Sequence, residues 1–184
     1  MPLRLDMIDT DCWNTLESGA NDPDSGFHYL TIASVDQQGK PQARTLVLRR
    51  VDRVNRTLEF HTDMRSPKWL ALKINPDVTI LGYSDKTQLR LQGTSELHSA
   101  HSAVAEAAWQ NLSQHTKQTY AGAAPGSDMR HHPNSGVNAE DNFGVVLVQI
   151  SQLDWCHLAR ENNQRALLNY TPGGDLFSSK FVHP

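Results

Sequence analysis

The run PQARTLVLRRVDRVNRTLEFHT (residues 41–62) decides the fold. Its two ends, 41–51 and 57–62, are rich in β-branched and large apolar residues, and the DRVNR between them is polar and turn-forming. Such a pattern predicts two antiparallel strands joined by a short loop. Upstream, FHYLTIASV (27–35) is separated from this hairpin by DQQGK, so three consecutive strands form a meander. Downstream, VTILGY (78–83) and TQLRLQGTSEL (87–97) return to strand, and in the second Leu89 and Leu91 alternate with Gln88, Arg90 and Gln92. FGVVLVQI (143–150), LDWCHLA (153–159) and RALLNY (165–170) read as three more.

Helices are fewer. Residues 9–18 suit a short helix that buries Trp13 and Leu16 and stops at Gly19. SPKWLALKI (66–74) is a connector ended by Asn75-Pro76, because a proline disfavours helical geometry in the residue before it. SAHSAVAEAAWQNL (99–112) is an alanine-rich amphipathic helix, and 114–141 has no periodicity and reads as a long loop. Many short strands with turn signals about every 8–12 residues predict a mainly β protein, an antiparallel barrel or sandwich with a few flanking helices, in one domain over 1–184.

Composition narrows the function. Lys and Arg total 17 against 20 acids, a net charge of −3, so no broad positive field exists to gather nucleic acid or an acidic membrane surface. Cys12 and Cys156 are too few and too distant for a disulfide framework or a zinc ligand set. Asp6, Asp9 and Asp11 interrupt the apolar core that a signal peptide needs, which points to a cytoplasmic protein without membrane contact. Nine histidines include His98 with His101 and the adjacent pair His131-His132, but neither set has the carboxylate or thiol company of a metal site. Cys156 reads as packing, since no helix terminus is expected there to activate a thiol.

The segment FHTDMRSPK (60–68) stands apart. Ser66 fits an N-cap and Pro67 the first helical position, so the first-turn N–H groups, Thr62 and Lys68 form a corner that can hold an anion such as a phosphate. Arg44, on the neighbouring strand, adds a guanidinium if the register brings it alongside. The same residues also fit an ordinary capped helix with solvated bases.

In order and spacing, ARTLVLR (43–49), FHTDMRSPK (60–68), NPDVTILGY (75–83) and TQLRLQG (87–93) resemble the FMN-binding core of the pyridoxamine 5'-phosphate oxidase family, over roughly half the chain. The resemblance implies an antiparallel Greek-key split barrel that dimerises with FMN at the subunit interface. It implies that Arg44 and Lys68 hold the FMN phosphate with Thr62 and Ser66 near it, and that Thr45, Leu46, Val47 and Leu48 run along the flavin. Arg49 follows where the family has a substrate-touching Lys, His61 stands where it often has Tyr, and Gln88 matches a cofactor-reaching Gln. Trp155 and Arg165, ten apart, resemble its last two flavin contacts, and in the dimer Gln88, Trp155 and Arg165 reach across.

Departures concern the substrate. Glu161, Asn162 and Asn163 replace the Arg-x-His that engages the vitamin, and Trp109, Ser113 and Lys117 replace its Tyr, Arg and Ser phosphate contacts. Pro67 stands where the family often has Arg, with Arg65 a candidate substitute. The resemblance therefore implies an FMN-dependent oxidoreductase for an unknown small substrate. A non-catalytic FMN store or sensor, a relative that exchanged FMN for another ligand, and the vitamin phosphate oxidase itself remain as alternatives.

Overall fold

The computed structural model describes residues 4–130 and 138–184. Eight strands form one antiparallel sheet: β1 (Tyr29–Val35), β2 (Pro41–Asp52), β3 (Thr57–Asp63), β4 (Asp77–Ser84), β5 (Thr87–His98), β6 (Phe143–His157), β7 (Gln164–Tyr170) and β8 (Leu176–Val182). Their order is β3-β2-β1-β4-β5-β6, and β3 also pairs with β6, so the first six close a Greek-key barrel from which β7 and β8 extend. The helices are α1 (Leu5–Asn21), α2 (Pro67–Ile74), α3 (Ala103–Gln110) and α4 (Gln114–Gln118).

The barrel splits along β6. Residues 143–149 pair with β3 and residues 152–157 with β7, while β5 runs beside nearly the whole strand. Between these halves Ser151 is an extra residue, because Gln92 pairs with Gln152 and Gly93 with Ile150. This bulge bends the strand from one sheet into the other. Gly93 lies at the bend, where a Cβ would stand 2.3 Å from the Gln149 carbonyl oxygen, so the backbones approach as only glycine allows. The two strands expected at 143–150 and 153–159 are thus one, and the strand at 176–182 was not expected.

The barrel interior is apolar. Leu30, Ile32, Leu48, Leu58, Phe60, Ile80, Leu91, Val148 and Ile150 are almost wholly buried, and Trp69 and Leu72 of α2 join the same core. A second layer lies outside β3 and β6, where Ala105, Tyr120, Phe143 and Val145 pack with Trp109 under α3. α3 is shorter than the predicted helix because the Ser102 hydroxyl caps it by accepting from the Ala105 N–H. The segment 114–141 contains α4 and a 3₁₀ turn at Ala139–Asn142, while the His131-His132 pair lies outside the described residues.

α1 is longer than predicted because Ile8, Cys12, Trp13 and Leu16 form a continuous apolar stripe against β2 and the barrel. Asp9 is buried beside that stripe. It accepts from Arg56 Nη2 at 2.7 Å and from Tyr170 Oη at 2.6 Å, and Trp13 Nε1 donates to Tyr170 Oη at 3.0 Å. The Arg56 guanidinium lies 5.0 Å from the Trp13 ring centre and 4.9 Å from that of Tyr170. Four residues therefore tie the amino-terminal helix, the β2–β3 loop and β7 together through one carboxylate. Among the described residues no helix is long and apolar enough to cross a membrane.

Candidate functional site

β2 and β3 pair through Leu48↔Phe60 and onward to Asp52↔Thr57, with a bulge at Arg49. Pairing stops at Leu48, whereas β1 pairs with β2 from Pro41 to Val47. The edge of β2 that faces away from β1 therefore has no ladder partner along Thr45–Val47, leaving backbone donors and acceptors available to a ligand. Leu46 and Leu48 point into the barrel, and Thr45 and Val47 point out of it.

Arg44 shares the inner face with Ile32, its partner on β1. Its Nη1 donates to Ser34 Oγ at 2.7 Å and to the Ile32 carbonyl at 3.3 Å. α2 brings Lys68 to the same end of the barrel, where Nζ donates to Thr62 Oγ1 at 3.0 Å, and Thr62 Oγ1 lies 3.5 Å from Ser66 Oγ. Ser66 occupies the N-cap position and Pro67 the first helical position, but the buried Ser66 side chain makes no capping bond. The structure thus brings Arg44, Thr62, Ser66 and Lys68 together. Ser34, which aims the guanidinium, was not legible in the sequence because it sits among the alternating residues of an ordinary strand.

Among the described residues, neither cation is bonded to a carboxylate. Burial lowers the pKa of Arg44, and burial first and the charge of Arg44 second lower that of Lys68, with Asp63 offsetting part of the shift. Asp63 itself is engaged by Arg65, at 3.0 Å to Nε and 2.6 Å to Nη2. Arg65 also donates to the carbonyls of Gly122 and Tyr120, so its guanidinium is engaged within the chain. Two like charges held side by side over neutral acceptors favour an anion between them.

The depressed Lys68 pKa has a stability consequence. A lysine whose folded pKa lies below its unfolded value opposes folding most while charged in both states, and that penalty is relieved as pH rises through the folded pKa. Lys68→Met should raise the Tm of the ligand-free protein by about 2–4 °C at neutral pH, equivalent to about 1 kcal/mol in a chain of this size, and the gain should shrink at alkaline pH. Calorimetry across pH with no phosphate in the buffer measures it.

The remaining sequence candidates are distributed differently. His61 alternates with Thr62 along β3, so its side chain lies on the outer face, 5.0 Å from the Phe143 ring centre, beneath α3. Arg49, at the bulge, is exposed on the same side. Gln88, Cys156 and Arg165 lie in one cross-strand row, and Arg165 donates to Asp154 at 2.9 and 2.8 Å. Burial pushes the Asp154 carboxyl up, but hydrogen bonds from Arg165 and Arg90 reverse this and hold it below the usual range. Trp155 pairs with Ala166 and Leu89 on the opposite face, half-buried beside Ile8 and Cys12 of α1. Within one chain these three do not meet the corner around Lys68.

At the positions compared with the vitamin phosphate contacts, the side chains are engaged elsewhere. Trp109 packs on Tyr120 and Phe143, Ser113 caps α4 through the Thr116 N–H, and the Lys117 ammonium lies 5.4 Å from the Trp109 ring centre. His98 is paired with Glu96 and His101 with Asp141, and no group of three metal-ligating side chains occurs among the described residues.

Fold and corner together define a split barrel with two neighbouring cations, Arg44 and Lys68, at one end. Residues 11–99 match the family model described as pyridoxamine 5'-phosphate oxidase, FMN-binding domain, and the chain is a distant homologue of those oxidases. Pyridoxine/pyridoxamine 5'-phosphate oxidase 2 of Arabidopsis thaliana is 27% identical over 195 residues, covering 94% of this chain and 96% of the relative. The pyridoxine/pyridoxamine 5'-phosphate oxidase of Gluconobacter oxydans is 34% identical over 91 residues, covering 48% of this chain and 42% of the relative. A pyridoxamine 5'-phosphate oxidase-related, FMN binding protein from Nostoc punctiforme has a TM-score of 0.77 at 24% identity, with 100% of both chains covered. PhzG from Burkholderia lata, solved with tetrahydrophenazine-1-carboxylic acid, has a TM-score of 0.71 at 13% identity, covering 100% of this chain and 94% of that one. At these identities the two structures speak to the fold.

Proposed function

We propose that this protein binds FMN and acts as an oxidoreductase on a small substrate other than the vitamin phosphate. The observation that carries the reading is the unpaired cation couple, Arg44 with Lys68, beside the open edge of β2. A phosphate monoester fits that donor set, because its charge of up to two matches one guanidinium and one ammonium, with Thr62 and Ser66 hydroxyls in reach. The unpartnered backbone along Thr45–Val47 runs from the corner towards Arg49, where a ring system attached to that phosphate meets N–H and C=O groups. FMN bound there supplies reversible acceptance of an electron pair.

The chain's own residues anchor, orient and shield. Arg44 is preaimed by Ser34, so little side-chain freedom is lost on binding. Against the vitamin phosphate stand Glu161, Asn162 and Asn163, exposed and without a base, together with the committed side chains of Trp109 and Ser113. The test is direct: protein purified from a flavin-replete host should show flavin absorbance, the released ligand should have the mass of FMN, and the bound flavin should be reducible. A colourless protein that FMN does not reconstitute overturns the reading.

A twofold dimer completes the proposal. Tyr29, Leu81 and Tyr83 are 58%, 39% and 57% exposed on the outer face of β1 and β4, and Gln88 and Arg165 continue that face along the Tyr83 row. A contiguous apolar strip at this position fits a second copy of the chain. Tyr83→Asp with Leu81→Asp should convert a dimer into a monomer in sedimentation equilibrium at micromolar concentration and weaken flavin retention. A wild-type protein that sediments only as a monomer contradicts it.

A further inference from the structure

The outer face of the sheet carries a charge cluster that neither the corner nor the apolar strip accounts for. The Asp154 side chain, 3% exposed, receives two guanidiniums: Arg165 donates through Nε at 2.9 Å and Nη2 at 2.8 Å, and Arg90 through Nη2. Burial raises the pKa of Asp154, but the bonds from Arg165 and Arg90 outweigh it, so the carboxylate is ionised. Two guanidiniums over one carboxylate leave one surplus positive charge, and neither arginine pairs with another acid among the described residues. The Arg90 and Arg165 side chains remain 41% and 29% exposed, so that charge is open to whatever covers the face.

Register fixes where the charge lies. Arg90 pairs with Asp154 on β6 and with Leu81 on β4, Leu81 pairs with Thr31 on β1, and Thr31 with Thr45 on β2. Directly opposed residues share a face, so one row runs from the open edge of β2, through the apolar strip on β1 and β4, to the arginines. A twofold axis between two such packed faces can lie along the strands or across them. An axis across the strands stacks β5 on β5 and sets the two surplus charges against each other, which is unfavourable. An axis through the strip and along the strands exchanges positions on either side of β1 and β4. It lays β2 of one protomer over β5 of its partner, so the open edge along Thr45–Val47 faces the arginines of the partner subunit.

We propose that the surplus charge of Arg90 and Arg165, gathered on Asp154 of one protomer, sets the reduction potential of the flavin bound along β2 of the other, an inference that rests on the flavin-binding dimer. Transfer of a hydride from the substrate carries two electrons with one proton and leaves one net negative charge on the acceptor. A fixed positive charge beside it favours that reduced form over the oxidised one. Because Asp154 already holds both guanidiniums in one pose, their charge is in place before reduction and needs no rearrangement.

The measurement is the midpoint potential of the flavin in the FMN-loaded dimer, read by spectroelectrochemical titration. Arg90→Met leaves Asp154 paired with Arg165 and removes the surplus charge. It should weaken binding of reduced relative to oxidised flavin about 10-fold, lowering the potential by about 30 mV. Arg90→Lys, which keeps the charge, should recover most of that shift. Mixing tests the placement across the interface. Dimers of one flavin-loaded Arg90→Met chain and one Arg44→Ala/Lys68→Ala chain, which holds no flavin, set an intact Arg90 against the bound flavin and should show the wild-type potential. A potential that Arg90→Met leaves unchanged overturns the proposal, as does a mixed dimer that keeps the lowered value. A colourless or monomeric wild-type protein overturns it together with the flavin-binding dimer, whereas a yellow dimer indifferent to Arg90→Met overturns this inference alone.

Discussion

Replacing Arg44 or Lys68 with alanine should lower FMN affinity about 10- to 150-fold each, the range of a hydrogen bond to a charged group, about 1.5–3 kcal/mol. The double variant should purify without flavin. Its loss should exceed the sum of the single losses, because the two cations share one phosphate and in each single variant the remaining one partly compensates. The same substitutions should leave the ligand-free fold intact or more stable, since each removes a desolvated charge that no carboxylate among the described residues bonds directly. Fluorescence titration of flavin and a thermal melt of each variant check both halves. If the variants lost stability and kept FMN, the corner would be an internal strut and the flavin would have to lie elsewhere.

Asp9→Ala carries the largest expected loss of stability, about 3–5 kcal/mol, because it leaves the largely covered Arg56 guanidinium uncompensated. The Tyr170 hydroxyl, whose pKa is raised first by burial and then by its bond to Asp9, loses its acceptor as well. At about 2–4 °C of Tm per kcal/mol for a chain of this size, the shift is about 6–20 °C. Tyr170→Phe removes a donor to Asp9 and the acceptor of Trp13 Nε1 but leaves the Arg56–Asp9 pair in place, and should cost less, about 1–3 kcal/mol. Denaturant unfolding of the two variants side by side measures the contrast, and equal, small effects would show that α1 is held by its apolar stripe alone. The helix pattern predicted Trp13 and Leu16 in the core, but nothing in the local sequence announces that an aspartate among them is buried, since its partners lie 47 and 161 residues away.

The barrel was legible because its strands alternate cleanly and its turns are polar. β6 escaped as a single strand because Ser151 and Gln152 interrupt the apolar run at the bulge, and a polar pair between two apolar segments reads as a turn. β8 escaped because LFSSKFV is mostly exposed and has no buried face to create a period. The corner was legible through Ser66-Pro67 and Lys68, which are local, and through the hairpin that carries Arg44. The grouping of Gln88, Trp155 and Arg165 illustrates what spacing leaves open. Arg165 pairs with Cys156, so a ten-residue interval across the β6–β7 hairpin falls one position out of register and puts Trp155 on the opposite face.

The most direct measurement compares FMN with riboflavin, which lacks the phosphate, in binding to the ligand-free protein. FMN should bind about 100-fold or more tightly than riboflavin, and Lys68→Ala should bring the two affinities towards each other. Equal affinity for both flavins in the wild-type protein, or a preference for FMN that Lys68→Ala leaves untouched, would contradict the central claim that Arg44 and Lys68 exist to hold a phosphate.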